Sequence, residues 1–161
     1  MKTGNLIVLV GMLVLVGTGC LAGEKIRNWT GIVVHHSDSG PETTRDDIDR
    51  WHKERGWDGV GYHYVIEWDG TVKVGRPLSK VGAHAKTGKP YNRNGTHIGI
   101  CLVGCDKFTA KQLSNLRKFI LVLADGLDIK SVERHHENCP GPGVDVEALN
   151  RMVQNLARPV Q

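Results

Sequence analysis

"GIVVHHS", residues 31–37, is the stretch on which the fold turns. Its β-branched run reads as a buried strand, and His35 and His36 stand at the C-terminal end, where a strand delivers polar side chains to a site. Downstream, "TTRDDIDRWHKERGW" (43–57) has helix-forming composition, acidic residues in its first turn, Ile48 and Trp51 on one face and Gly56 as its stop. "YHYVIEWDGTVKVGR" (62–76) alternates on either side of Asp69-Gly70, a strong hairpin signal. "HIGICLVG" (97–104) is an apolar strand of the central type. "TAKQLSNLRKFILVLADGL" (109–127) opens with a Thr109/Gln112 capping box and carries Leu113, Leu116, Ile120, Leu123 and Leu127 at helical spacing. "IKSVER" (129–134) can form a short strand running into His135. "VDVEALNRMVQNLAR" (144–158) is an amphipathic helix with Val146, Leu149, Val153 and Leu156 expected inward. Strands and helices alternate, which predicts an α/β domain with a central mixed sheet flanked by helices.

A chain of 161 residues has room for one such domain and an appendage. Hydrophobic residues at 40% and charged residues at 24% exclude collagen-like and wholly disordered chains. The net charge of +4 is mild, and no run of consecutive Lys or Arg forms a nucleic-acid arm, so no nucleic-acid partner is expected. The appendage is N-terminal. "MKTGNLIVLVGMLVLVGTGCLAGEK" holds no charge from Thr3 to Gly23, which reads as an export segment close in length to a membrane span. Residues 1–23 are therefore an export signal, a lipoprotein signal ending at Cys20, or an N-terminal anchor, and residues 24–161 are the folded domain. The expected location is outside the cytoplasm, periplasmic or tethered, with membrane contact through that segment only.

Four cysteines supply no disulfide framework, because Cys20, Cys101, Cys105 and Cys139 each sit in a different setting. The most chemically loaded stretch is "RHHENCPGPG" (134–143). Zinc prefers imidazole nitrogen and thiolate sulfur, and a catalytic zinc keeps three protein ligands and an open fourth position. His135 and Cys139, four apart across a turn, can approach one ion, and His35 can complete the set if the two strands are neighbours. From spacing alone, a polar surface loop explains the same residues equally well.

In order, "IVVHHS", "GWDGVGYHYVIEWDGTVKVGRP", "VGAHAKTGKPYN", "HIGICLVG" and "HHENCPGPGVD" resemble the successive motifs of the zinc-dependent N-acetylmuramoyl-L-alanine amidases, the family of phage lysozymes of the amidase type and of peptidoglycan recognition proteins. The resemblance runs from about Gly31 to the last helix. It implies that fold, one Zn2+ per chain held by His35, His135 and Cys139, and hydrolysis of the amide between N-acetylmuramic acid and L-alanine in peptidoglycan or muropeptides. The strand-side alignment of "VERHHE" favours His135 over His136. Tyr62 matches the tyrosine that stabilises the reacting group. His84 matches a histidine lining the substrate groove, and His36 is placed on the substrate side with it, or else orients a ligand. His63, on the opposite face of its strand from its neighbours, reads as a structural histidine. The family's phage branch carries a Lys two residues before the Cys ligand, in a longer segment. Here only Glu137 and Asn138 separate "HH" from Cys139, so Glu137 occupies that position as a candidate general base. A monomer is expected. The alternative function is a peptidoglycan-binding module of the same fold without turnover; retention of Cys139 favours the enzyme.

Overall fold

The computed structural model describes residues 25–85 and 92–156; the segment 1–23, with its expected export role, lies outside the described residues. Five strands form one sheet: β1 (Gly31–His36), β2 (Tyr64–Ile66), β3 (Val72–Val74), β4 (His97–Leu102) and β5 (Ser131–Arg134), in the order β3-β2-β4-β1-β5. β1 is parallel to both β4 and β5, β2 is parallel to β4, and β3 is antiparallel to β2. Helices α1 (Arg45–Glu54), α2 (Ala110–Gly126) and α3 (Val146–Leu156) cover the sheet, and a short 3-10 turn spans Arg93–Gly95. This is the α/β single domain with a mixed sheet that the alternation of elements predicts.

The two-residue period of the strands sorts the faces. Ile32 and Val34 of β1, Ile98, Ile100 and Leu102 of β4, Ile66 and Val132 pack with Leu116, Phe119, Ile120 and Leu123 of α2 and with Val146, Leu149 and Val153 of α3. The opposite face carries a smaller cluster of Ile48, Val60, Val65, Cys101 and Val103, joined by Trp51 and Tyr62. β1 and β4 are buried on both faces, which is why their sequences read as continuous apolar runs. The larger face holds the fold together and leaves the smaller one for polar side chains.

Local signals account for the element ends. Thr44 caps α1 with a reciprocal capping box to Asp47, and Thr109 caps α2 in the same way with Gln112. Gln112 is wholly buried, and its Nε2 also donates to the carbonyls of Ile66 (3.3 Å) and Val103 (2.8 Å), tying the C-terminal ends of β2 and β4 to the start of α2. The β2–β3 hairpin is wider than a two-residue Asp-Gly turn. The Gly70 amide donates to the Glu67 carbonyl (2.8 Å), the Glu67 amide to the Thr71 carbonyl (2.9 Å), and Gly70 takes φ 85°, a turn closed by a left-handed residue that glycine adopts without strain.

One core expectation fails. Leu156 is 55% exposed, on the rim of a depression that it shares with Leu121, Ala124 and Leu127 at the end of α2. Among the described residues Cys101, Cys105 and Cys139 are free thiols, and no helix is long and apolar enough to cross a membrane.

Candidate active site

The site lies at the C-terminal ends of the parallel strands, where open α/β sheets form their crevices. β1 and β5 pair in the register Val34↔Arg134, so one step further on His35 stands beside His135, with ring centroids 4.5 Å apart. After His135 the chain turns back within four residues: the Cys139 amide donates to the His136 carbonyl (3.0 Å) and the His136 amide to the Cys139 carbonyl (3.3 Å). The turn returns Cys139, which is buried, to the end of β1, where the His36 amide donates to its Sγ at 3.5 Å. His35, His135 and Cys139 each offer one ligating atom, all within 4.8 Å of one another.

Hydrogen bonds select the tautomer of His35. His84 Nε2 lies 3.2 Å from the His97 carbonyl, which can only accept, so His84 carries its proton there and its Nδ1 is an acceptor. His35 Nε2, 2.9 Å from that Nδ1, must then be the donor. The Nδ1 lone pair of His35 is left to face the trio, the arrangement in which an N–H on one ring nitrogen fixes a ligating lone pair on the other. Burial holds His35 well below the ordinary imidazole range, with the neighbouring His84 and His135 adding to the effect. Burial likewise brings His84 to about 3 and His135 to about 4. Burial pushes the Cys139 thiol up, opposed by the His36 amide. Two neutral imidazoles and one thiol in a buried corner match the nitrogen and sulfur preference of zinc.

Tyr62 arrives from the opposite side. The α1 helix steers the approach: His52 Nδ1 accepts from the Gly61 amide (2.9 Å) and Asp49 Oδ1 from the Val60 amide (2.7 Å). The Tyr62 ring centroid lies 5.0 Å from that of His35, and the ring packs on the small cluster that holds Cys101. Burial, reinforced by the Cys101 and Cys139 thiols, holds the phenol well above its usual range, so Tyr62 keeps its proton at neutral pH. The three donors, Tyr62, Arg55 and Asn138 line a cleft of about 540 Å³. A second cavity of about 450 Å³, walled by Trp57, Asp58, Arg76 and His84, meets the first at His135.

A family model described as N-acetylmuramoyl-L-alanine amidase matches residues 25–142. The chain belongs to this amidase family. It is 41% identical over 119 residues to the endolysin of Escherichia phage T7, covering 68% of this chain and 76% of that one. It is also similar to the solved structure of the N-acetylmuramoyl-L-alanine amidase LysC from Clostridium intestinale URNW, at 33% identity and TM-score 0.70 over 79% of this chain and 86% of that one. Drosophila PGRP-LB shares the fold at 24% identity, with TM-score 0.60 over 81% and 87% of the two chains.

The structure groups His135 with His35 and Cys139 and leaves His136 outside the trio, on the exposed turn. His84, expected along the groove, is 9% exposed and sits behind His35 while also lining the second cavity. His36 lines the cleft, with its amide bonded to Cys139 and its Nδ1 buried and unpartnered among the described residues. Glu137 is exposed at the tip of the 136–139 turn and is absent from the cleft lining, where Asn138 stands instead. His63 is wholly buried and satisfied on both ring nitrogens, by the Gly99 amide (3.0 Å) and the Lys80 carbonyl (3.3 Å).

Sequence reading missed Arg93 and Arg55. Arg93, 8% exposed, donates to the carbonyls of Arg134 (2.8 Å) and His135 (2.6 Å) and pairs with Glu133 (3.3 Å), which also meets His97 (3.2 Å). Arg55 puts a cation into the cleft wall from the C-terminal cap of α1. Neither residue carries a local signal, since each acts only on residues distant in the chain.

Proposed function

We propose that the chain is a zinc-dependent amidase that hydrolyses the bond between the N-acetylmuramoyl group and L-alanine in peptidoglycan or muropeptides. The reading rests on the His35–His135–Cys139 trio opening into a cleft that also carries Tyr62. His35, His135 and Cys139 would hold a zinc ion, which would supply Lewis-acid chemistry toward a water and the scissile carbonyl. The chain's own residues do the rest. His84 holds His35 in its ligating tautomer, and Arg93 fixes the backbone at His135. The Tyr62 hydroxyl, protonated at neutral pH, donates to the oxygen on which charge develops, and the Arg55 guanidinium adds a fixed positive charge on the same wall. Asn138 lines the same cleft and offers a side-chain amide for orienting the reacting groups. The two cavities, which meet at His135, together accept glycan and stem peptide. All three donors come from one chain, so a monomer suffices, and residues 1–23 export or tether the domain to where the wall lies.

The test incubates the purified protein with peptidoglycan and looks by mass spectrometry for stem peptides with a free L-alanine amino terminus. The parent should release them and Cys139→Ser should not. Wall binding by the parent with no released peptide would replace this reading with that of a binding module.

A further inference from the structure

A second group of donor side chains lies in the same cleft wall. His36, Asp38 and Cys105 each place one ligating atom within 4.8 Å of the other two. Backbone stitching brings them together. The Ser37 amide donates to the Leu102 carbonyl (2.9 Å) and the Gly104 amide to Ser37 Oγ (3.0 Å), so the loops leaving β1 and β4 are fastened to each other on either side of the cluster. Asp38 is exposed, Cys105 is half-buried, and the thiol donates to Asp38 Oδ1 at 3.1 Å.

The histidine points to a ligand. Its Nδ1 is buried and has no hydrogen-bond partner among the described residues, a state that folded chains avoid unless something fills the gap. Among the described residues no group at that nitrogen fixes the tautomer of the ring, so a lone pair is available to a cation. A thiolate, a carboxylate and a neutral imidazole carry two negative charges together, which suits a divalent ion. The sulfur selects a thiophilic ion over magnesium or calcium, and three protein donors leave a position open.

We propose that His36, Asp38 and Cys105 bind a second divalent cation of the zinc class, in the wall of the cleft and separate from the His35–His135–Cys139 trio. On binding, the thiol proton leaves to solvent and the S–H···O contact is replaced by one bond from sulfur and one from oxygen to the ion, with no change of oxidation state. The ion faces the same cleft as the first trio, so its occupancy adds positive charge where a substrate enters. The site does not depend on the reaction proposed above.

The test is metal stoichiometry on the full chain. The protein is stripped with chelator, dialysed against Zn2+ and analysed for bound metal, and Co2+ is then used to read thiolate-to-cobalt charge-transfer absorption. The parent should hold two ions per chain. Asp38→Asn and Cys105→Ala should each hold one, Cys139→Ser should keep the second ion, and Cys139→Ser with Cys105→Ala should lose the charge-transfer band. Asp38 is exposed, so Asp38→Asn should retain the parental circular dichroism and melting. A parent that binds a single ion, or a second ion that persists in both Asp38→Asn and Cys105→Ala, overturns the proposal.

Discussion

At the scale of single residues, the His84 ring rests on Gly99. A methyl group added at Gly99 would stand 2.5 Å from Cδ2 and Cγ of His84, closer than real side chains approach. The same ring accepts the hydrogen bond from the Nε2–H of His35. Gly99→Ala must therefore move the group that holds His35 in register, and His84→Phe removes it while keeping the bulk. Both should weaken zinc binding by about 10- to 100-fold, the usual effect of losing an outer partner of a metal-ligating histidine. Competition titration against a chromophoric chelator measures this, and parental affinity in Gly99→Ala would refute the positioning of His35 by His84. Tyr62 acts differently, since it contributes a donor and no ligand. Tyr62→Phe should retain zinc stoichiometry while kcat for stem-peptide release falls by about 10²- to 10³-fold, the scale of one lost oxyanion donor. Loss of zinc in that variant would place Tyr62 in the metal site instead.

At the scale of elements, β5 is the edge strand that delivers His135, and the buried Arg93 guanidinium holds its end. Arg93→Met removes both backbone contacts and the ion pair, leaving Glu133 with His97 and the Ser131 hydroxyl. Glu133 is about a third exposed, so the cost should be near 3 kcal/mol, the low end for a broken buried pair, and zinc affinity should fall with it. Arg93→Lys keeps the charge but not the two-armed geometry, so it should restore stability more than zinc affinity. Urea unfolding and zinc titration on the two variants separate the effects; equal affinities in Arg93→Lys and the parent would deny Arg93 a positioning role. The elements themselves are written locally. β-Branched runs, two capping boxes and the Asp69-Gly70 turn are short-range signals, and each produced its element. The histidines at the end of β1 and after β5 were legible because a strand end is a local feature. The support given by Arg93 and Arg55 was not, because it depends on which distant backbone each side chain meets. Leu156 shows the same limit, since helical spacing names a face but does not say how far the packing beneath it extends.

At the scale of the whole molecule, burial of histidine couples stability to pH. Five of the eight histidines are buried, and burial lowers the pKa of four of them, His35, His52, His63 and His84. His63 is the cleanest case, because it lies outside the donor trio and burial brings it to about 4 from its ordinary 6.5. Above pH 6.5 it is neutral both folded and unfolded, and its contribution is fully present. As pH falls from 6.5 toward 4 the unfolded chain takes up the proton and the folded chain does not, so stability drops by up to about 1.4 kcal/mol per pH unit from this one group. Protonation would also break its contact with the Gly99 amide, since the cation has no lone pair left to accept. His63→Gln keeps an acceptor and a donor but cannot titrate. Measured by urea unfolding in the presence of chelator, so that metal linkage plays no part, the parent should lose stability steeply between pH 6.5 and 4. The Gln variant should lose it less steeply, by about one proton's worth of slope. The same slope in both proteins would mean that His63 takes up a proton in the fold, and that the pH dependence arises at the other buried rings.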